Sequence, residues 1–314
     1  MEYTATIAEH TPIAITIGNF DGIHKGHQRL LQELHTLALD LSCVPVVVTF
    51  SPHTLMVVRP DIFVRYLTTT NEKLALAHQY GNIADHIVIS FTQQVAAMSA
   101  EAFMDNLRAH YQLKGLVVGT NFSLGHNRKG DINFLEAYGR QHNIAVRSIS
   151  LEEAEHTRIS STRIRTLVDE GHISDANLLL GHPVILSGIV SHGDHRGRLI
   201  GFPTANLRPD PHRLLPADGV YAVRVRVPGE PTSDPYTDSS VYNGVVNIGV
   251  RPTFEGRTRL VEAHLLDTTL DLYDRLISLD FIARLRGEQR FSGIDTLKAQ
   301  ITSDVQHARQ ILSA

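Results

Sequence analysis

Ile15-Thr-Ile-Gly-Asn-Phe-Asp-Gly-Ile-His-Lys-Gly-His-Gln-Arg-Leu30 is the stretch that decides the fold of this chain. The apolar run Ile13 to Ile17 reads as a buried strand that breaks at Gly18. A helix is predicted from near Gly26, because Leu30, Leu31, Leu34, Leu37, Ala38 and Leu41 recur with a period close to 3.6. His24 and His27 therefore sit where a strand hands over to a helix. A helix start offers unpaired backbone N–H groups and partial positive charge, which suits phosphate. Imidazoles add donors that are neutral or cationic near neutral pH. Gly18, Gly22 and Gly26 allow sharp turns and close approach to a ligand. Two histidines three apart could equally be a metal pair or polar surface, but no further ligand set at recognisable spacing accompanies them.

The full string Gly18-x-Phe-Asp-x-x-His-x-Gly-His27 is more specific than its parts. It resembles the signature of the nucleotidylyltransferase superfamily, which transfers a nucleotide monophosphate from a nucleoside triphosphate.

Working outward, residues 1 to about 150 alternate between strand and helix patterns. Strands are predicted at Val44–Phe50, Ile87–Phe91, Leu116–Val118 and Ile144–Ile149, and a helix at Asn71–Tyr80. A second helix is capped by Ser99, with Ala102, Phe103 and Leu107 on its inner face. Apolar strands alternating with helices imply a parallel sheet covered on both faces, with ligands at the carboxyl ends of its strands. Gly18 and Gly119 fall at such ends.

After Gly119 comes the polar, basic, glycine-punctuated segment Val118-Gly-Thr-Asn-Phe-Ser-Leu-Gly-His-Asn-Arg-Lys-Gly-Asp131, a ligand loop or simply a solvated one. Arg158-Ile-Ser-Ser-Thr-Arg-Ile-Arg165 then leads into a helix through Leu167 and Val168. Hydroxyls and N–H groups at that helix start, beside Arg163 and Arg165, form a second candidate anion site. The string resembles the second phosphate-binding motif of the same superfamily.

Gly181-His-Pro183 reads as the seam between domains, giving 1–182 and 183–314. Beyond it Val220–Val227 ends in strict alternation, with Arg224 and Arg226 on one face, as an antiparallel strand with a wet side does. Val184–Val190, Ser240–Val246, Leu260–Leu266 and Leu276–Phe281 are further strands, and Pro228 to Asp238 reads as a mobile hairpin loop. So many short strands suggest a small closed barrel. A terminal helix is predicted with Ser292 as cap, Asp295 in the capping-box position, and a stripe of Ile294, Leu297, Ile301, Val305, Ala308 and Leu312.

Three strings in this half carry chemistry: Gly197-Arg-Leu-Ile-Gly-Phe-Pro-Thr-Ala-Asn206, Val246-Asn-Ile-Gly-Val-Arg-Pro-Thr-Phe254 and Val261-Glu-Ala-His-Leu-Leu-Asp267. Thr204 and Asn206 can offer two oxygens to one small hard cation, with phosphates and water completing its shell. Glu262 shares a strand face with His264, opposite Val261, Ala263 and Leu265; taken alone it is an ordinary solvent-facing carboxylate.

Together these motifs resemble the bifunctional riboflavin kinase/FMN adenylyltransferase family. The resemblance runs over nearly the whole chain and includes Pro216-x-x-Gly-Val-Tyr221, Asn247-Ile-Gly-x-Arg-Pro-Thr-Phe254 and Leu285-Arg-x-Glu-Gln-Arg-Phe291. It implies a Rossmann-like adenylyltransferase domain with a parallel sheet, then an antiparallel kinase barrel with a terminal helix. It implies that Thr204 and Asn206 hold Mg²⁺ and the phosphates of ATP, with Gly201 beside them, and that Glu262 takes the proton from the ribityl hydroxyl of riboflavin. His24 and His27 act at the ATP α-phosphate, with Gly18, Asn19 and Phe20 in the same nucleotide loop. Ser161, Thr162 and Arg165 hold the phosphates that leave as pyrophosphate, and Asn121 and Arg286 lie at the flavin.

Four positions depart from the family pattern: Asn121 where Asp is frequent, Leu124 where a second aromatic is frequent, and the first and last residues of Ser51-Pro-His-Thr54, where an acidic residue and a proline are frequent. A riboflavin kinase with a weak adenylyltransferase half is therefore the alternative, and a flavin-binding regulator without turnover is the non-enzymatic one.

Composition fits these readings. The 314 residues are 42% hydrophobic and 20% charged, as in an ordinary globular protein of about two domains. A net charge of −4 argues against broad nucleic-acid binding. The 18 histidines are scattered, and most are read as surface or core groups. Cys43, the one cysteine, lies beside the apolar run Val44–Val48, and reads as core rather than nucleophile. Neither a signal peptide nor a run of about 18 apolar residues is present, so a cytoplasmic enzyme with riboflavin, FMN and ATP as partners, and no membrane, is expected. Oligomeric state is not legible.

Overall fold

The computed structural model describes residues 1–150, 159–192, 200–230, 235–236, 238–253 and 256–313, with residues 251–253 and 256–258 known by their backbone. Arg158, Gly197 to Leu199, Phe254 and part of the Pro228–Asp238 loop, all named above, lie outside the described residues or side chains. The chain divides into two compact units, Met1–Tyr66 with Thr70–Ser160, and Leu67–Thr69 with Ser161–Ala314.

The first unit carries β1 (Tyr3–Ala5), β2 (Pro12–Ile17), α1 (Lys25–Asp40), β3 (Val44–Ser51), α2 (Thr54–Val58), α3 (Thr70–Gly81), β4 (Asp85–Ser90), α4 (Gln93–Ala96), α5 (Ala100–His110), β5 (Gln112–Gly119), α6 (Ile132–His142) and β6 (Ala145–Ile149). Its sheet has the order β1-β4-β3-β2-β5-β6. Strands β2 to β6 pair in parallel, and β1 adds an antiparallel edge to β4. The central strands are apolar on both faces, as helices on either side demand: Ile13, Ile15, Val46, Val47 and Val48 are all essentially inaccessible.

The predicted strands and α1, α3 and α5 form where expected, while β1, α2, α4 and α6 are additions. Helix α6 buries only Leu135, Tyr138 and Gly139, so its stripe is short; its start is set by the Asp131 carboxylate accepting the Phe134 N–H at 3.0 Å. In α5 the Ser99 hydroxyl accepts the Ala102 N–H, as a cap should, but Ala102 itself is exposed and Ala100 takes its place in the core.

The second unit begins with α7 (Ser161–Glu170) and α8 (Ile173–Leu180). It continues with β7 (Val184–Ser191), β8 (Ala205–Pro209), β9 (Gly219–Pro228), β10 (Ser239–Thr253), β11 (Gly256–Leu265), β12 (Leu276–Arg286) and α9 (Ile294–Leu312). The six strands close into an antiparallel barrel in the order β10-β11-β8-β7-β12-β9. Closure leaves no strand edge to template aggregation. Tyr221 and Phe281 meet edge to face inside it, 5.4 Å between centroids at 80°, and both are fully buried. Phe281→Ala should destabilise this unit by about 3–5 kcal/mol, since transfer and cavity costs add, measured by denaturant unfolding.

Helix α9 packs Val305, Ala308 and Leu312 against Val220 and Ala222 of β9 and Val245 of β10. Two expectations fail at its start. Gly293, not Ser292, is the cap, and its N–H is taken by the Thr296 hydroxyl at 3.3 Å. Ile294 is 62% exposed, because the helix reaches the barrel only from its second turn onward. An ion pair anchors the helix instead: Asp304 is buried and accepts from Arg286 Nε and Nη2, with Gln300 completing its shell at 2.9 Å.

Candidate active sites

In the first unit β3 and β4 extend to one side of β2, and β5 and β6 to the other. The crevice between the carboxyl ends of β2 and β5 is therefore the switch point of the sheet, where open α/β folds bind ligands. A pocket of about 240 Å³ there is lined by Gly18, Phe20, His27, Gly119, Asn121 and Phe122. A neighbouring cleft of about 680 Å³ shares Gly18 and Asn121, and adds Asn19, Phe50, Phe91 and Leu124.

Most of the nucleotide-loop residues named from sequence thus line one connected region. The loop is conformationally costly: Phe20 and Ile23 hold positive φ values of 49° and 39°, which side-chain-bearing residues rarely adopt. Such strain, about 1–3 kcal/mol per residue, persists only where neighbours over-determine the backbone.

His24 caps α1. Its Nδ1 accepts the His27 N–H at 3.3 Å, which places the proton of the neutral ring on Nε2. The two imidazoles stack, 3.7 Å between centroids at 14°, and the Phe20 ring meets His27 edge-on at 5.2 Å. Burial first, and then electrostatic opposition from the neighbouring His24 and Lys73, holds His27 well below the usual histidine range. Of the two forms left open by the sequence, His27 therefore takes the neutral one at pH 7.

The departures from the family pattern also acquire a physical reading. Asn19 Nδ2 donates to Thr54 Oγ1 at 2.8 Å, and the Thr54 N–H returns to Asn19 Oδ1 at 3.4 Å. A proline at 54 could not make the second bond, so the threonine ties the loop after β3 to the glycine turn. Leu124 is 9% exposed and packs into the core, its backbone paired both ways with Gly130. Aromatic surface in the cleft comes from Phe50, Phe91, Phe103 and Phe122, with Phe50 and Phe91 edge to face at 5.2 Å.

Asn121 is exposed at the lip. Ser161 opens α7 in the second unit, with Thr162 exposed and Arg165 half-buried on the same helix. Sequence reasoning missed Lys73, a buried lysine on α3; the available signal is a charge one turn before the buried Leu76 and Ala77.

In the second unit strand register assembles the site. Asn206 of β8 lies opposite Glu262 of β11, Glu262 opposite Asn247 of β10, Asn247 opposite Val220 of β9, and Val220 opposite Arg286 of β12. Paired residues point to one side of a sheet, so three polar side chains from three strands form one row. Glu262, Asn206 and Asn247 are each half-buried.

Thr204 lines a cavity of about 650 Å³ together with Ala205, Ala263, Leu272 and Tyr273; neither Glu262 nor Asn206 lines it. His264 Nδ1 donates to the Pro203 carbonyl at 2.7 Å and fixes the segment leading to Thr204. Gly201 has φ 90°, and among the described residues nothing lies within 4 Å of where a Cβ would stand, so its exposed backbone can approach a ligand. The Arg286 guanidinium engages Asp304 and the Gly287 carbonyl and lies 5.7 Å from the Phe291 ring centroid. Asn247 had been quoted within a string without a role; only long-range register reveals that it adjoins Glu262.

Among the described residues no group of three or more His, Cys, Asp or Glu side chains could hold a metal ion, and no helix is long and apolar enough to cross a membrane. Burial raises the Cys43 thiol above its usual range, which keeps it protonated and unreactive.

The FAD synthetase family model matches residues 6–163 and the riboflavin kinase family model residues 180–312. The bifunctional riboflavin kinase/FMN adenylyltransferase of Escherichia coli K12 is 39% identical over 298 residues, 94% of this chain and 91% of that one. Those of Pseudomonas fluorescens and Listeria monocytogenes are 36% and 33% identical over 96% and 98% of this chain. A crystal structure described as a macrolide-efflux protein from Streptococcus pneumoniae superposes with a TM-score of 0.81 at 29% identity, covering 95% of this chain and 94% of its own. That description belongs to the streptococcal protein; what carries over is the fold. With two family models in chain order and relatives matched along nearly their full length, this chain belongs to the bifunctional riboflavin kinase/FMN adenylyltransferase family.

Proposed function

We propose that the Glu262 row of the barrel phosphorylates riboflavin and that the Gly18–His27 turn of the parallel sheet adenylylates the FMN so formed. The observation that carries this division is that the Gly18–His27 turn lines the switch-point pocket of one unit, while Asn206, Glu262 and Asn247 form a polar row across three barrel strands of the other. In the barrel Glu262 accepts the proton of the ribityl hydroxyl as that oxygen attacks the γ-phosphorus of ATP, with ADP leaving. Asn247 and Asn206, on either side, orient the carboxylate.

Thr204 and Asn206 offer neutral hard oxygens, a donor set that fits Mg²⁺, which takes few protein ligands and completes its shell with phosphates and water. The ion, when bound, neutralises charge on the transferring phosphates. Gly201 presents backbone to the same phosphates. Arg286, fixed by Asp304, positions the Gly287–Phe291 segment at the flavin.

In the parallel sheet His24 Nε2–H and neutral His27 donate to oxygens of the α-phosphate as the FMN phosphate attacks it, with pyrophosphate leaving. No covalent enzyme intermediate is needed; positioning and preorganised donors suffice. Gly18, Asn19 and Phe20 shape the turn that receives the nucleotide, and Asn121 meets the flavin or the base at the cleft lip. For Ser161, Thr162 and Arg165 the reading rests on their string: they take the phosphates that leave. The boundary between the two activities is kept at residue 182. The setting is the cytoplasm, where ATP is available and a chain with one cysteine needs no disulfide.

The test is a time course with full-length protein, riboflavin, ATP and Mg²⁺. FMN should rise first and FAD and pyrophosphate follow, and both steps should stop on chelation. FMN accumulating without FAD would confine the activity to the barrel.

A further inference from the structure

The nucleotide turn holds Phe20 and Ile23 at positive φ, and a buried lysine lies beneath it. Lys73 of α3 is 4% exposed, and its Nζ donates to Thr49 Oγ1 at 3.2 Å. Thr49, fully buried on β3, has its Oγ1 3.5 Å from the Asn19 carbonyl, at the base of the turn. Asp21, 2% exposed and in the middle of the turn, favours the charged form of this lysine, and Lys73 in turn acts on His27. A lysine is almost never buried without a partner that repays its desolvation. The partners here all belong to the nucleotide turn or to the strand end supporting it.

We infer that Lys73 is a positioning residue for adenylyl transfer, a buried ammonium that pins the Gly18–His24 turn from below through Thr49. This rests on the reading of that turn as the adenylylation site. The lysine acts through the turn and the imidazoles, without touching substrate.

Burial moves its pKa down to about 8, with Asp21 opposing the shift. Asp21 of the turn acts on it, and it acts on His27 of α1; β3 presents the neutral Thr49, and Glu72 precedes it on α3. The sign follows: the unfolded lysine keeps its proton to near 10.5 while the folded one releases it above about 8. Raising pH through that window therefore favours the fold and removes the pinning charge.

The experiment uses the full chain, with FMN→FAD as the readout and riboflavin→FMN in the same preparation as the control for folding. Lys73→Met should lower kcat for FAD formation about 100-fold, with KM for ATP shifted far less and the kinase rate unchanged. Lys73→Arg keeps the charge and should recover at least about tenfold of that loss, with a rate that stays level between about pH 7 and 9 while the native enzyme declines. Thr49→Val, which removes only the hydroxyl that receives the ammonium, should cost about tenfold.

The inference is overturned if Lys73→Met stays within about threefold of native FAD formation, or if Lys73→Arg recovers nothing. Parallel loss of both activities in Lys73→Met, with Thr49→Val behaving as native, overturns it too and leaves Lys73 a residue of fold stability. If native protein forms no FAD at all, the reading of the turn fails, and not this inference alone.

Discussion

Replacing Glu262 with glutamine is expected to lower kcat for FMN formation about 10³-fold, the scale of a lost general base. FMN adenylylation in the same preparation is expected to stay at the native rate. Glutamine keeps the shape and the hydrogen-bonding reach of glutamate but cannot accept the proton. Glu262 is half-buried on the polar side of β11 between Asn206 and Asn247, while the barrel core is built by Val261 and Ala263 on the other side. The substitution therefore removes chemistry and leaves packing. Riboflavin turnover and FMN turnover measured in parallel give the answer, and equal loss of both would refute the assignment.

His27→Ala is expected to reduce FAD formation from FMN by about 10²–10³, the range for removal of one preorganised donor at a developing charge. Kinase activity is expected to be untouched. The pH response distinguishes this histidine from an imidazolium. Its folded pKa is depressed, so in acid the unfolded state binds the proton first, and stability is lost as pH falls below about 6.5. The alanine variant should lack that component of acid sensitivity. His24→Ala carries an additional loss of about 1 kcal/mol of fold stability, because its Nδ1 caps α1. Thermal melts of the two variants separate the capping role from the chemical one.

The sheet, the barrel and α1 were legible because burial writes a period into sequence. β2 and β3 sit under helices on both faces and so read as unbroken apolar runs, whereas β9 alternates only around Arg224 and Arg226, because α9 covers the same face at Val220 and Ala222. Helix α6 carried too few buried positions to register, and the start of α9 misled because an exposed isoleucine, Ile294, imitates a stripe. In the sites, His24, His27 and Glu262 were recoverable from local strings. Asn247 was not given a role, since its place beside Glu262 arises from pairing between β10 and β11. Lys73 was missed for the opposite reason: lysines default to the surface, and only its long-range hydrogen bond to the buried Thr49 turns this one inward.

The most direct test of the two-site account is a mixing experiment with riboflavin, ATP and Mg²⁺. Glu262→Gln protein alone should form neither flavin nucleotide, and His27→Ala protein alone should stop at FMN. Combined, they should produce FAD, because FMN released by one is adenylylated by the other. FMN piling up in the mixture with no FAD would contradict the account.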